Sequence, residues 1–256
     1  MRNSFDAPVE SLTPESVLDI IKDFHRQQCF HDPEAEPDIH LSFESTIEEW
    51  RQACDWLDCK PLGRALNERF GVNFSDNEWH DALEPSNQKT LLGVCELIAT
   101  QGERFAIKPL NIFGGSCREA GVYIALRSAL NKAGVPMEKV KPSSRLEPLL
   151  INHWGVISDE VGKIAPGVLP SVEIKGSFFQ RLGIGLLFAG PLLAFLDWIW
   201  GPTGITLFAI AFGGCGALLL AVSSGMKPKS VSFENLETFG DLCSRVSEST
   251  LRNESG

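Results

Sequence analysis

The tract that most constrains the fold is "LGIGLLFAGPLLAFLDWIWGPTGITLFAIAFGGCGALLLAVSSG", Leu182 to Gly225, which carries a single charged residue, Asp197. Leu182–Trp200 and Gly204–Ser223 each approach the roughly 20 apolar residues that cross about 30 Å of hydrocarbon as helix. Between them "GPTG" supplies a tight turn, because Gly and Pro end one helix and start the next. Small residues recur four apart, as at Gly185 with Ala189 and Gly213 with Ala217, which lets helix backbones approach closely. The pattern therefore predicts a two-helix transmembrane hairpin over 182–200 and 204–223. Lys175 and Arg181 before it and Lys227 and Lys229 after it place both chain ends on the cytoplasmic side by the positive-inside rule. Asp197, flanked by Trp198 and Trp200, suits the headgroup level better than an ion site. A buried helical hairpin within a globular core is the competing explanation of the same tract.

Charge narrows the partners. The chain has a formal net charge of -10 and no cluster of Lys and Arg, so a phosphate backbone is not expected as partner. Its 7 cysteines are scattered and form no Cys-x-x-Cys pair, which argues against both a disulfide framework and a zinc site. The N-terminus lacks an apolar signal core, and the segment before the tract is expected in the cytoplasm.

Residues 14–102 read as short helices. "TPESVLDIIKDFHRQQCF" offers Thr13 as cap and Pro14 at the first helical position, with Val17, Ile20, Ile21 and Phe24 on one face. The full capping box is not expected there, since Ser16 rather than Glu or Gln follows three residues on. "TIEEWRQACDWL" continues the helical period. Pro61 is expected to open a helix that Gly71 stops, "SDNEWHDAL" a short capped one, and "NQKTLLGVCELIATQG" a last one ending at Gly102. Such a set makes a small bundle. In the second segment Ser116 is expected to cap a helix running to Gly134, and Thr238 a final one carrying Phe239, Leu242 and Val246. The similar endings of the two segments point to an internal repeat whose second copy is interrupted by the apolar tract.

"DWLDCKPLGRALNERFGVNFSDNEWHDALEPSNQKTLLGVCELI" resembles the second half of an acyl carrier protein. That family has an Asp-Ser-Leu, a helix ending in Phe, a short acidic helix, then a closing helix. Trp56 stands fourteen residues before Phe70, the spacing that the family keeps between its modified serine and that Phe. "ALRSALNKAGVPMEKVKPSSRLEPLL" resembles the family's first helix and long loop, and Trp154 falls at the serine place of this second copy. The resemblance implies an all-α fold of two small acyl-carrier-like bundles, 14–102 and 104–180 plus 225–250, the second interrupted by the transmembrane hairpin. Residues 1–13 and 251–256 are expected to be flexible ends. The family's serine carries a phosphopantetheine arm, and indole has no hydroxyl to bear one, so no cofactor is expected. Ser45 and Ser158 are the alternative serines if the register shifts.

Other chemistry is sparse. The loop His31, Asp32, Glu34, Glu36, Asp38 and His40 holds metal-ligating types without ligand spacing on a regular element, and a solvated acidic loop explains it better. Cys117, after Gly114, Gly115 and Ser116, is a candidate nucleophile only if a helix start lowers its pKa. No metal and no enzymatic activity are expected. Taken with the hairpin, which would fix location, the resemblance leads to the expectation of a membrane-anchored, non-enzymatic adaptor whose acidic helical surface meets a basic face on a protein partner. Trp56, Glu68, Asp76, Glu78, Trp79 and Asp81 are the expected contact residues, at the places where the family meets its enzymes. Two alternatives stay open: an acyl-chain or lipid-handling carrier at the membrane, and a pore-forming or immunity-type membrane hairpin.

Overall fold

The computed structural model describes residues 7–30, 32, 35–54, 58–112, 115–175, 215 and 230–254. Two compact units divide the chain: residues 1–146, 153–172 and 233–256 form the first, and residues 147–152 and 173–232 the second.

Five helices build the first part of unit one: α1 (Pro14–Gln28), α2 (Ile47–Ala53), α3 (Cys59–Phe70), α4 (Asp76–Leu83) and α5 (Leu91–Ala99). Their starts follow from capping. The Thr13 hydroxyl accepts the Ser16 N–H, and Ser16 Oγ in turn accepts the Thr13 N–H at 2.9 Å. A capping box therefore closes α1 after all, because a hydroxyl one bond from Cβ reaches the N-cap amide as well as a Glu carboxylate does. Thr46 with Glu49 and Ser75 with Glu78 form the same device on α2 and α4. α3 begins at Cys59, ahead of Pro61, and ends at Gly71, whose φ of 66° is a conformation that residues with a Cβ rarely adopt. Ile20, Ile21, Ile47, Leu62, Leu66 and Ile98 close a single core against one another, each almost wholly buried. Burying a side chain of this size stabilises by about 1.5–3 kcal/mol.

Unit one also holds α6 (Arg118–Lys132) and α8 (Phe239–Glu254), whose Tyr123 and Phe239 rings lie 5.8 Å apart, edge to face. α7 (Glu147–Ile164) starts in unit two and continues through unit one, with a non-helical His153 (φ −140°, ψ 20°) at the division.

The fold is not all-α. Two-stranded sheets join β1 (Val9–Ser11) to β2 (Glu103–Phe105), β3 (Leu110–Ile112) to β4 (Gly115–Cys117), and β5 (Val172–Lys175) to β6 (Ser230–Phe233). The first two pairs are antiparallel, in the registers Val9 to Phe105 and Leu110 to Cys117. Ser116 accordingly lies in a strand rather than at a cap, and Cys117 takes the N-cap position of α6. In unit two the described residues are those of the first turns of α7, where Asn152 Nδ2 donates to the Pro148 carbonyl at 2.9 Å, most of the β5–β6 pair, and Cys215.

The expectation of a multi-pass membrane protein is corrected as well. Among the described residues no helix is long and apolar enough to cross a membrane. The longest, α7, has 18 residues but carries Glu147, Asp159, Glu160 and Lys163 and is kinked at His153. The hairpin expected over 182–200 and 204–223 lies outside the described residues, Cys215 apart.

One pattern of hydrogen bonds occurs twice. In the first copy Thr46 bridges Thr90, the Ile47 N–H donates to the Lys89 carbonyl, and the Leu91 N–H to the Ser45 carbonyl. In the second copy Arg145 bridges Thr238, the Leu146 N–H donates to the Glu237 carbonyl, and the Phe239 N–H to the Ser144 carbonyl. Each of these four bonds measures 2.9 Å. The loop entering each bridge is tied alike: Ser45 Oγ accepts the Ser42 N–H at 3.0 Å, and Ser144 Oγ accepts the Lys141 N–H at 2.9 Å. α1 packs on α5 in the first copy as α6 packs on α8 in the second.

Candidate functional site

Of the six expected contact residues, four are exposed: Glu68 on α3, and Asp76, Glu78 and Asp81 on α4. Asp76 opens α4, with Lys60 Nζ at 3.6 Å and Arg64 Nη2 at 3.8 Å. Both cations are largely in water, so these pairs are weak. Glu68 continues the four-residue stripe of Lys60 and Arg64 one turn further along α3. The Glu78 carboxylate accepts the Ser75 N–H at 2.8 Å and the Ser75 hydroxyl at 2.7 Å, and these bonds hold its pKa below the ordinary range. Asp81 lies largely in water, 4.0 Å from His80 Nδ1. The surface is thus mixed in charge, with Lys60 and Arg64 beside Asp76, Glu78 exposed but engaged in the cap, and Glu68 and Asp81 exposed.

Trp79 does not belong to this surface. It is 1% exposed, its ring 5.5 Å from that of Phe74, and Nε1–H donates to Asn67 Oδ1 at 3.0 Å. The same amide oxygen accepts the Phe74 N–H, while Asn67 Nδ2 donates to the Phe74 carbonyl, so the indole is locked by a satisfied polar set. The signal was in the sequence: Trp79 and Leu83, four apart in an otherwise polar helix, are the inward stripe of α4. Trp56 lies outside the described residues, as do Asp55 and Leu57.

The alternative serines are structural. Ser45 Oγ ties the loop before α2, and Ser158 Oγ, 6% exposed as a residue, donates to Gln27 Oε1 at 2.5 Å. Among the described residues no group of His, Cys, Asp and Glu is arranged to hold a metal. His31 and Glu34 of the acidic loop lie outside them.

Sequence reasoning missed a cleft that residues far apart in the chain form together. It measures about 740 Å³ and opens between α1, α3 and α7, with Phe24, Arg69, Trp154 and Asp159 among its walls. Arg69 Nη2 lies 3.4 Å from Asp159 Oδ1, and its guanidinium carbon 4.1 Å from the centre of the Phe24 ring. Burial pushes the Asp159 carboxyl above the ordinary range, while Arg69 and Lys163 pull it back. Further links join the copies. Asp23 accepts from Arg26 and Gln27, and Arg26 Nη2 also donates to the Leu169 carbonyl at 2.9 Å. Gly162 of α7 backs onto α1, where an added Cβ would lie 3.1 Å from Asp23 Oδ2. Within the cleft Lys163 also pairs with Glu160, and Ser158 donates to Gln27.

Three buried thiols, Cys54, Cys95 and Cys243, are pushed up to about 12 by burial, which keeps them protonated and unreactive. Cys54 Sγ sits 3.4 Å from His25 Nδ1, and His25 Nε2 2.9 Å from the Glu36 carbonyl, a chain that fixes α1 to the following loop.

The chain matches no family model, no curated protein and no solved structure.

Proposed function

We propose that this chain is a non-enzymatic adaptor built from two joined acyl-carrier-like bundles without a phosphopantetheine arm. The observation that carries this reading is the exposure of Glu68, Glu78 and Asp81 on adjacent helices of the first bundle, with no internal task for Asp81 and none for Glu68 beyond the cleft rim. Exposed carboxylates of this kind steer a partner bearing Lys or Arg and set its orientation more than they add affinity. The double hydrogen-bond pattern supports descent of both halves from one bundle.

Two features favour an adaptor over an acyl carrier. Trp56 and Trp154, at the places of the family's serine, offer no hydroxyl for a phosphodiester, and Ser158 Oγ is held inside by Gln27. The pocket between Ile21, Trp50 and Leu66, inside the first bundle, measures about 10 Å³, about the room that one water needs and far short of an acyl chain.

The test is intact-mass analysis of the whole chain after expression with a broad-specificity phosphopantetheinyl transferase, alongside an authentic carrier protein as positive control. The adaptor reading expects the unmodified mass. A phosphopantetheine adduct on any serine would overturn it.

A further inference from the structure

A second concavity lies between α1 with Phe30 just beyond it and Pro37, Ile39, His40 and Leu41, about 310 Å³ in volume. This lies at the small end of the range for pockets that bury a small molecule. Its lining has an unusual makeup for a chain of net charge -10: among the described residues that form it, Lys22 and Arg26 are cations and none is a carboxylate. Four planar groups face it, His25, Arg26, Phe30 and His40, and Ile39 and Leu41 supply apolar surface.

The neighbouring charges decide which cation is available. Arg26 is committed, its Nε and Nη2 donating to Asp23 Oδ1 at 3.0 and 2.6 Å and Nη2 also to the Leu169 carbonyl. Its guanidinium carbon still lies over the Phe30 ring, 5.7 Å from the centroid. Asp32, on the loop beside the pocket, accepts from Gln28 Nε2 at 3.1 Å. Among the described residues Lys22 pairs with Asp19, at 3.9 Å, both side chains well exposed, a pairing that a closer anion outcompetes. His25 is fixed by the Glu36 carbonyl and presents a ring of settled orientation. Phe30 is 46% exposed, an aromatic face left to solvent beside a cation.

We infer that this pocket binds a small aromatic monocarboxylate. The planar groups stack on the ring, Ile39 and Leu41 receive its edge, and the Lys22 ammonium pairs with the carboxylate. This goes beyond the adaptor reading and would give the first bundle a ligand as well as a partner.

The test uses 2-naphthoate as probe and 2-naphthamide as its uncharged counterpart, each titrated into the full chain by calorimetry and by amide NMR. The expected result is saturable binding of the acid at least tenfold tighter than that of the amide, with shifts centred on α1 and residues 37–41. Ile39→Trp, which fills the pocket, should abolish it. Lys22→Gln, an exposed change that leaves the core intact, should bring acid and amide within about twofold. Equal affinity for acid and amide, unchanged binding in Ile39→Trp, or no saturation up to millimolar probe would overturn the proposal. The folded fraction of each variant is read from the dispersion of the same NMR spectra.

Discussion

Gly63 of α3 and Trp79 of α4 meet so closely that a Cβ at residue 63 would lie 2.6 Å from Trp79 Cγ. Glycine is required there by space rather than by φ, since the indole covers the helix backbone. Gly162 of α7, as far beyond Leu146 as Gly63 is beyond Ile47, is covered by Asp23 and Phe24 of α1. Gly63 is closed by α4, the helix that follows it, and Gly162 by α1, far earlier in the chain.

Overpacking this contact should destabilise the fold. Gly63→Ala is expected to cost about 1–3 kcal/mol, since the ring must leave a rotamer fixed by Asn67. Trp79→Ala should cost about 3–5 kcal/mol through the cavity it leaves. Urea unfolding followed by circular dichroism measures both. A surface Trp79 would show a change below 0.5 kcal/mol on truncation, roughly that of an exposed site.

How much of this was legible in the sequence varies by element. Thr13–Pro14, Ser75 and Gly71 announce α1, α4 and the end of α3 because capping and left-handed stops act over a few residues. The strands were not legible, since three-residue runs such as Val9–Ser11 carry no usable alternation and pair only because distant segments meet. Exposure of Glu68 and Asp81 follows from helix phase. Burial of Trp79 follows from the same phase, in step with Leu83, but its close fit on Gly63, sixteen residues away, and the Arg69–Asp159 pair depend on how distant helices dock.

The Arg69–Asp159 pair makes a pH prediction. Asp159 has its folded pKa raised by burial, so the native state binds this proton more tightly than the unfolded chain. The sign follows from linkage: this group favours folding at acid pH, and that contribution is lost as pH rises from about 4, the unfolded value, through the folded value. Arg69→Met removes the main opposing cation and should raise the Asp159 pKa further. Carboxyl carbon NMR titration should show the upward shift, and stability should fall more between pH 4 and 7 in the variant than in the wild type, by roughly the linkage that one such group allows. A downward shift would contradict the pairing.

Two loop serines should be equivalent. Ser45→Ala and Ser144→Ala each remove an Oγ that accepts a backbone N–H three residues earlier. Each is expected to lower stability by about 0.5–1.5 kcal/mol. Denaturant midpoints measure this, and a loss confined to one of them would argue against matching roles in the two copies.

Thiol reactivity should divide by burial. Brief iodoacetamide treatment of the native chain near pH 8 should leave Cys54, Cys95 and Cys243 unmodified, because their pKa of about 12 leaves almost no thiolate. The same treatment in urea should label all three. Peptide mass spectrometry reads the sites directly.

The adaptor reading stands or falls on a partner that recognises the acids of α3 and α4. The direct measurement is quantitative capture from the organism that encodes the chain, comparing wild type with Glu68→Lys combined with Asp81→Lys. Neither residue caps a helix or enters the core, so circular dichroism and the unfolding midpoint should match between the two. The account predicts a protein retained by the wild type, weakened by salt as surface charge pairs are, and at least tenfold depleted in the variant. A partner retained equally by both, or none retained by the wild type, would contradict it.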